Sequence, residues 1–243
     1  MTKRLSLVIP VKNEKENVIP LANEIFRVME REGHIHEVIF VDDGSIDGTV
    51  EKLCAMRQET KFLRVVRHTN CCGQSTALLS GIRSARYPTI VTLDGDGQND
   101  PEDIPLLLET LGVLQQQSPV AMVVGYRNRR QDTAARRWSS KLANDVRSRL
   151  LKDQTPDTGC GLKAFSRETF LSLPYFNHMH RFLPALVWRM GGQVTSVEIN
   201  HRPRTHGNSK YGNLDRLRVG IVDLLGVLWL QKRSKIPLVS EVD

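Results

Sequence analysis

Short apolar runs recur through the first half of the chain, each followed by a longer stretch of helical spacing, and this alternation limits the fold more than any other feature. Leu5-Ser6-Leu7-Val8-Ile9 precedes a stretch from Asn17 to Arg31 whose apolar residues Val18, Leu21, Ile25 and Val28 share a helical face. Val38-Ile39-Phe40-Val41 precedes a helix from Thr49 to about Gln58, and Leu63-Arg64-Val65-Val66 a helix from Gln74 to Ala85. Thr89 to Leu93 precedes a helix from Pro101 to Leu114, and Val120 to Val124 makes a fifth run. Continuous apolar runs between amphipathic helices predict an α/β fold with a mostly parallel sheet covered on both faces. Such sheets bind ligands outside the carboxyl ends of their strands. Further on, 159–165 and 195–200 read as strands, and a polar loop covers 202–211.

A chain of 243 residues can bury a sizeable core without staples. Its four cysteines, Cys54, Cys71, Cys72 and Cys160, form no CxxC pair and have no histidine at zinc-ligand spacing. They read as buried thiols in a reducing compartment. The opening run from Leu5 to Val11 contains Pro10 and is too short for a signal peptide. No stretch of 18 apolar residues occurs, so the expectation is a cytoplasmic protein with no transmembrane helix.

Charge is concentrated. Between Arg127 and Lys152 lie nine basic residues and two acidic ones, an excess equal to the formal +7 of the whole chain. That segment predicts a helix with Trp138, Leu142, Val146 and Leu150 in one stripe, and a polyanionic partner: nucleic acid, anionic lipid or a phosphorylated substrate.

The segment Leu93-Asp94-Gly95-Asp96-Gly97-Gln98 places two carboxylates around one glycine at the end of a buried strand. A plain turn needs one aspartate, whereas a pair can hold a hard divalent cation, Mg²⁺ or Mn²⁺, together with diphosphate oxygens. A second acidic loop, Asp42-Asp43-Gly44-Ser45-Ile46-Asp47-Gly48, also follows a strand. It is not an EF-hand, because the twelfth position is Cys54 rather than glutamate, and the Asp94 segment fails with Asn99 at the required glycine. Neither GxGxxG nor GxxxxGK[ST] is present.

With Pro10-Val11-Lys12-Asn13-Glu14, Val41-Asp42-Asp43-Gly44-Ser45 and Asp94-Gly95-Asp96 in order, the chain resembles the inverting family 2 glycosyltransferases of the GT-A fold. Gln98, Asp157-Thr158-Gly159 and the segment Arg204 to Tyr211 make it similar to their dolichyl-phosphate mannosyltransferase and bacterial polyprenyl-phosphate branch. The resemblance implies a GDP- or UDP-sugar donor, a polyprenyl phosphate acceptor and a Mg²⁺ or Mn²⁺ cofactor. Pro10, Lys12, Glu14, Val41 and Asp43 would line the nucleoside pocket, with Asp43 addressing the base. Asp94, Gly95 and Asp96 would face ribose and diphosphate, and Asp94, Asp96 and Gln98 would hold the metal. Arg127 would lie near the phosphates, Arg204 and Lys210 would clamp the donor, and Arg137 and Ser140 would hold the acceptor phosphate, with Arg136 and Lys141 as substitutes. Asp157 matches a carboxylate near the acceptor and equally suits a turn or cap.

No metal role is assigned to His180, His201 or His206, and Trp138 and Trp188 are read as packing residues. The organisation expected is a catalytic domain over 1–215 and a C-terminal amphipathic helix and tail over 216–243. That tail contains a 14-residue segment, Leu217 to Leu230, suited to a membrane interface or to a homo-oligomer contact. Peripheral attachment to the inner face of a membrane follows from the lipid-linked acceptor. Two other functions compete. A family 2 enzyme with a soluble or polysaccharide acceptor loses ground because the only Arg-Trp pair, Arg137-Trp138, lacks the glutamine of QxxRW. A non-catalytic lipid- or RNA-binding module is disfavoured by the intact Asp94, Asp96 and Gln98, and nucleic acid by the scarcity of aromatics among the basic residues.

Overall fold

The computed structural model describes residues 3–127, 147–151, 153, 155–203 and 213–236, with backbone alone for 213–218. Strands β1 (Arg4–Val11), β2 (Ile35–Asp43), β3 (Leu63–His68) and β4 (Thr89–Thr92) alternate with helices α1 (Val18–Arg31), α2 (Thr49–Glu59) and α3 (Gln74–Ser84). Helix α4 (Ile104–Gln117), strands β5 (Ala121–Tyr126) and β6 (Lys163–Ser166), and helices α5 (Arg167–Leu171) and α6 (Leu183–Arg189) follow. Strand β7 (Gln193–Glu198) and helix α7 (Asn213–Lys232) come last. The strand order is β3-β2-β1-β4-β6-β5-β7. All pairings are parallel except those of β6, which runs antiparallel to both β4 and β5.

The alternation expected from sequence is observed through β5. The run expected over 159–165 pairs only from Lys163, because 156–162 turns at the site instead. The reversal of β6 has no signature in its apolar pattern.

Each face of the sheet carries one core. α1 and α4 cover one side, where Val18, Leu21, Ile25 and Val28 are buried against Leu7, Ile9 and Phe40. Each such side chain contributes about 1.5–3 kcal/mol on burial. α3, α5, α6 and α7 cover the other side against Val8, Ile39 and Phe165. α3 lies very close to the sheet, since a Cβ on Gly81 would sit 2.4 Å from Val8 Cγ1 and 2.8 Å from Val41 Cγ2.

Three sequence expectations are corrected here. Cys54, Cys71 and Cys72 are exposed free thiols, and only Cys160 is buried. Trp188 is 41% exposed rather than packed, because α6 turns its opposite face, Leu183, Leu186 and Val187, to the core. In the short helical piece at 147–151, Leu151 is buried while the stripe residue Leu150 is exposed. The rest of the predicted basic helix, with Trp138, lies outside the described residues. The C-terminal segment is a helix of 20 residues that buries Val227 in the second core. Among the described residues no helix is long and apolar enough to cross a membrane.

Candidate functional site

The strand order reverses beside β1, with β2 and β3 on one side and β4 on the other. The carboxyl ends of β1 and β4 therefore border the crevice where open α/β sheets receive ligands. The loop after β4 fills its rim. Asn99 Oδ1 accepts from Asp94 N at 3.3 Å and Asp96 Oδ1 accepts from Gln98 N at 3.2 Å. Gly95 abuts β1: a Cβ there would lie 2.4 Å from Val11 Cγ1 and 3.1 Å from the Pro10 carbonyl oxygen. Gly161 underlies Asp94 in the same way, with 2.3–2.5 Å from a built Cβ to the carboxyl atoms.

Asp94 is poorly neutralised. Burial and the charge of Asp96 push its pKa from 3.8 up to about 6, against the pull of Lys163 and Arg127 and a 2.9 Å hydrogen bond from Gln74 Nε2. A cation would offset that unbalanced charge on Asp94. Two carboxylates and the Gln98 amide form an oxygen-donor set that suits Mg²⁺ or Mn²⁺, so these residues fit the expected metal.

Of the nucleoside residues expected from sequence, Pro10 lies near the end of β1, Val41 and Asp43 at the end of β2, and Lys12 and Glu14 in the loop after β1, which is tied to the loop after β2. Asn13 N donates to Ser45 Oγ at 2.7 Å, Ile46 N to Asn13 Oδ1 at 2.9 Å, and Glu14 N to Thr49 Oγ1 at 3.0 Å. Asn13 holds φ +50° at this junction. The Glu14 carboxylate accepts from Asn17 Nδ2 at 2.6 Å. The Val41 side chain is buried against α3.

Asp43 is fully engaged. Its Oδ1 accepts from Cys72 N at 2.8 Å and His68 Nδ1 at 2.9 Å, and its Oδ2 from Gly73 N at 2.8 Å and Cys71 Sγ at 3.2 Å. Burial alone would raise its pKa, but these donors outweigh it and hold the carboxyl below its ordinary 3.8. Its neighbour Asp42, on the opposite pleat face, is buried and uses Oδ2 to accept from Ser45 N at 3.1 Å.

Arg127, at the end of β5, grips Asp157 with two hydrogen bonds, Nε to Oδ2 at 2.6 Å and Nη2 to Oδ1 at 3.1 Å. Burial opposes the Arg127 charge, and Asp157 more than compensates. Arg137 and Ser140, their substitutes Arg136 and Lys141, and Arg204 and Lys210 lie outside the described residues. The chain leading to Arg204 is firmly held, however. Arg202 N donates to the Gln98 carbonyl at 3.0 Å, and the Arg202 guanidinium pairs with Glu24 and Asp100, each at 2.6 Å.

Three residues of the site carry no motif that marks them in the sequence. Gln74 follows Gly73 at the start of α3, a position that could have flagged it. Gly161 had no signal beyond its glycine. Lys163 is buried on β6 near Asp94 and Asp157, and burial lowers its pKa. Outside that set, His180 packs against the start of α3 through Ser75. Burial first, then Arg181, Lys163 and His178, drop its pKa from 6.5 to about 3, so it is neutral at pH 7, with Nδ1 2.8 Å from Ser75 Oγ.

The crevice, the acidic pair after β4 and the acidic loop after β2 define a nucleotide-sugar transferase architecture, and the comparisons agree. The model of glycosyl transferase family 2 matches residues 6–173, and the chain belongs to that family. Dodecaprenyl-phosphate galacturonate synthase of Rhizobium johnstonii is 36% identical over 239 residues, covering 96% of this chain and 69% of that protein. Undecaprenyl-phosphate 4-deoxy-4-formamido-L-arabinose transferase of Pseudomonas syringae is 35% identical over 211 residues, covering 86% and 61%. The chain thus spans between about three-fifths and two-thirds of the length of such relatives. Among solved structures, glucosyl-3-phosphoglycerate synthase of Mycobacterium tuberculosis with Mn²⁺, UDP and phosphoglyceric acid superposes with a TM-score of 0.68 at 20% identity, covering 97% of this chain and 80% of that one. A mannosyltransferase of Pyrobaculum calidifontis with GDP-Man and Mn²⁺ gives 0.67 at 19% identity, covering 98% and 66%. The fold is GT-A, as the sequence implied.

Proposed function

We propose that the chain moves one sugar from a nucleotide-diphospho-sugar to a polyprenyl phosphate, with inversion, at a site that uses Mg²⁺ or Mn²⁺. The observation that carries this reading is the acidic pair at the end of β4, whose Asp94 is pushed to about 6 in a crevice built for a ligand. Both curated relatives named above carry polyprenyl phosphate in their names.

Asp94, Asp96 and Gln98 would hold the cation, which supplies Lewis-acid stabilisation of the departing diphosphate. Pro10, Lys12, Glu14 and the backbone of Val41 would border the nucleoside, with Asp43 shaping that loop. A phosphate monoester is already anionic at neutral pH. The chain therefore has no need of a strong general base and lowers the barrier by holding the acceptor oxygen in line with the anomeric carbon. Arg127, steadied by Asp157, would present positive charge to the phosphates. Arg137 and Ser140 are proposed for the acceptor phosphate. Arg204 and Lys210 are proposed as a donor clamp, a role supported by the attachment of Arg202 beside Gln98.

Contact with the membrane surface is supported by α7. Val222 is 69% and Trp229 59% exposed, Ile221 and Leu225 are also exposed, and Lys232, Arg233 and Lys235 follow. Apolar residues flanked by bases suit an anionic lipid surface on the cytoplasmic side. A homo-oligomer through the same face is the competing arrangement, and gel filtration with vesicle flotation separates the two.

The test is release of nucleoside diphosphate from UDP- or GDP-sugars. Release that requires both polyprenyl phosphate and Mn²⁺ supports the reading. Equal release with 3-phosphoglycerate would reassign the acceptor, and full activity in Asp96→Ala would remove the metal assignment.

A further inference from the structure

His68, Cys71 and Cys72, which form no CxxC pair in sequence, converge with Asp43 in space. Asp43 at the end of β2, His68 at the end of β3 and Cys72 in the following loop bring one ligand atom each to within 4.8 Å of one another. Cys71 Sγ lies 3.2 Å from the second Asp43 oxygen, which adds another sulfur to the cluster. Both thiols are free and exposed, so an ion can reach them.

We propose that Asp43, His68 and Cys72 bind a zinc ion, with Cys71 beside it, at a site separate from the Asp94–Asp96 pair. The donors decide the metal: one oxygen, one imidazole nitrogen and thiolate sulfur suit zinc, whereas Mg²⁺ and Mn²⁺ take oxygen. The spacing is close to what zinc needs. Bonds of roughly 2.0 Å to nitrogen and oxygen and 2.3 Å to sulfur put tetrahedral donors about 3.3–3.5 Å apart. His68 Nδ1 and Asp43 Oδ1 are already 2.9 Å apart, so the ion takes the place of the shared proton. Cys72 Sγ, within 4.8 Å of both, exchanges its 3.4 Å contact with the Asn70 carbonyl for the ion.

The surroundings support the ligands. His68 Nε2 lies 2.9 Å from Ser80 Oγ. When zinc occupies Nδ1, the ring proton moves to Nε2 and is donated to that hydroxyl, which fixes the ring orientation. Cys72 gives up its thiol proton to solvent. The Cys72 and Gly73 N–H groups continue to hold the carboxylate of Asp43 in place.

Cobalt substitution tests this on the whole chain, since Co²⁺ in such a site shows a thiolate charge-transfer band in the near ultraviolet. One Co²⁺ per chain, displaced by Zn²⁺, should give that band. Cys72→Ser should abolish it, and Cys54→Ser, on α2, should leave it unchanged. Ser80→Ala should weaken zinc affinity roughly tenfold to a hundredfold, measured against a chromogenic chelator. Circular dichroism on each variant confirms that the fold persists. Absence of the band in the unmodified chain, its persistence in Cys72→Ser, or its loss in Cys54→Ser would each overturn the proposal.

Discussion

Two aspartates stand at the same edge of one sheet and are treated in opposite ways. Asp43, at the end of β2, accepts four hydrogen bonds and is held below its ordinary pKa. Asp94, just past β4, accepts one side-chain bond from Gln74, faces another carboxylate and rises to about 6. A carboxylate surrounded by donors shapes the loop that supplies them. A carboxylate left short of positive charge, in a crevice, is prepared for an ion that arrives with the substrate. The contrast separates a residue that builds the site from one that works in it, although both belong to acidic loops of similar appearance in sequence.

The most severe way to break this contrast is on the working side. Asp96→Ala should lower transfer by roughly a thousandfold, read as nucleoside diphosphate release with polyprenyl phosphate and Mn²⁺, with no loss of melting temperature. Gly161→Ala presses a methyl into the Asp94 carboxyl and should weaken Mn²⁺ binding by roughly a hundredfold in a titration followed by electron paramagnetic resonance. On the building side the readout changes. Asp43→Asn replaces one of the two acceptor oxygens with a donor, leaves part-buried donors unpaired and should cost about 2 kcal/mol in urea unfolding, roughly thirtyfold in the folding equilibrium.

The gentlest probe is pH, and the two residues respond with opposite sign. The folded pKa of Asp94 lies above 3.8, so its ionised form destabilises the metal-free fold above about pH 6, and that penalty is relieved as pH falls from about 6 toward 3.8. The folded pKa of Asp43 lies below 3.8, so its contribution is present above 3.8 and is lost as pH falls through the lower, folded value. Mn²⁺ affinity should accordingly fall about tenfold per unit below about pH 6, since the proton competes for Asp94. A flat affinity between pH 5 and 7 would show that Asp94 is no ligand.

Much of this was legible in advance, for identifiable reasons. Strands β1, β2 and β4 announce themselves because parallel strands buried on both faces need largely apolar runs, whereas β3, part-buried at the sheet edge, is legible from its β-branched Val65 and Val66. The Asp94–Asp96 pair could be read because its chemistry is local, two acids and a glycine in one turn. What stayed hidden is what the tertiary structure assembles. The support from Gln74 reaches Asp94 across 20 residues, and the His68–Asp43 contact joins strands 25 residues apart. The Asp157 reading left open between site and turn acquires a partner in Arg127, 30 residues away. Val41 shows a further limit, since the sequence does not tell that a residue flanking a motif turns its side chain into the core.

Helix α3 serves as a gauge with a fixed phase. Gln74 at its first residue touches Asp94, and Ser80, six residues later, touches His68, so the two contacts lie about 9 Å apart along the axis. Gly81 seats the helix so closely on Val8 and Val41 that it cannot roll to compensate for a change in length. One residue inserted between Gln74 and Ser80 would turn one contact by about 100° relative to the other. The two acidic loops are thereby locked to a common register, and along this stretch the chain can exchange residues but cannot gain or lose one.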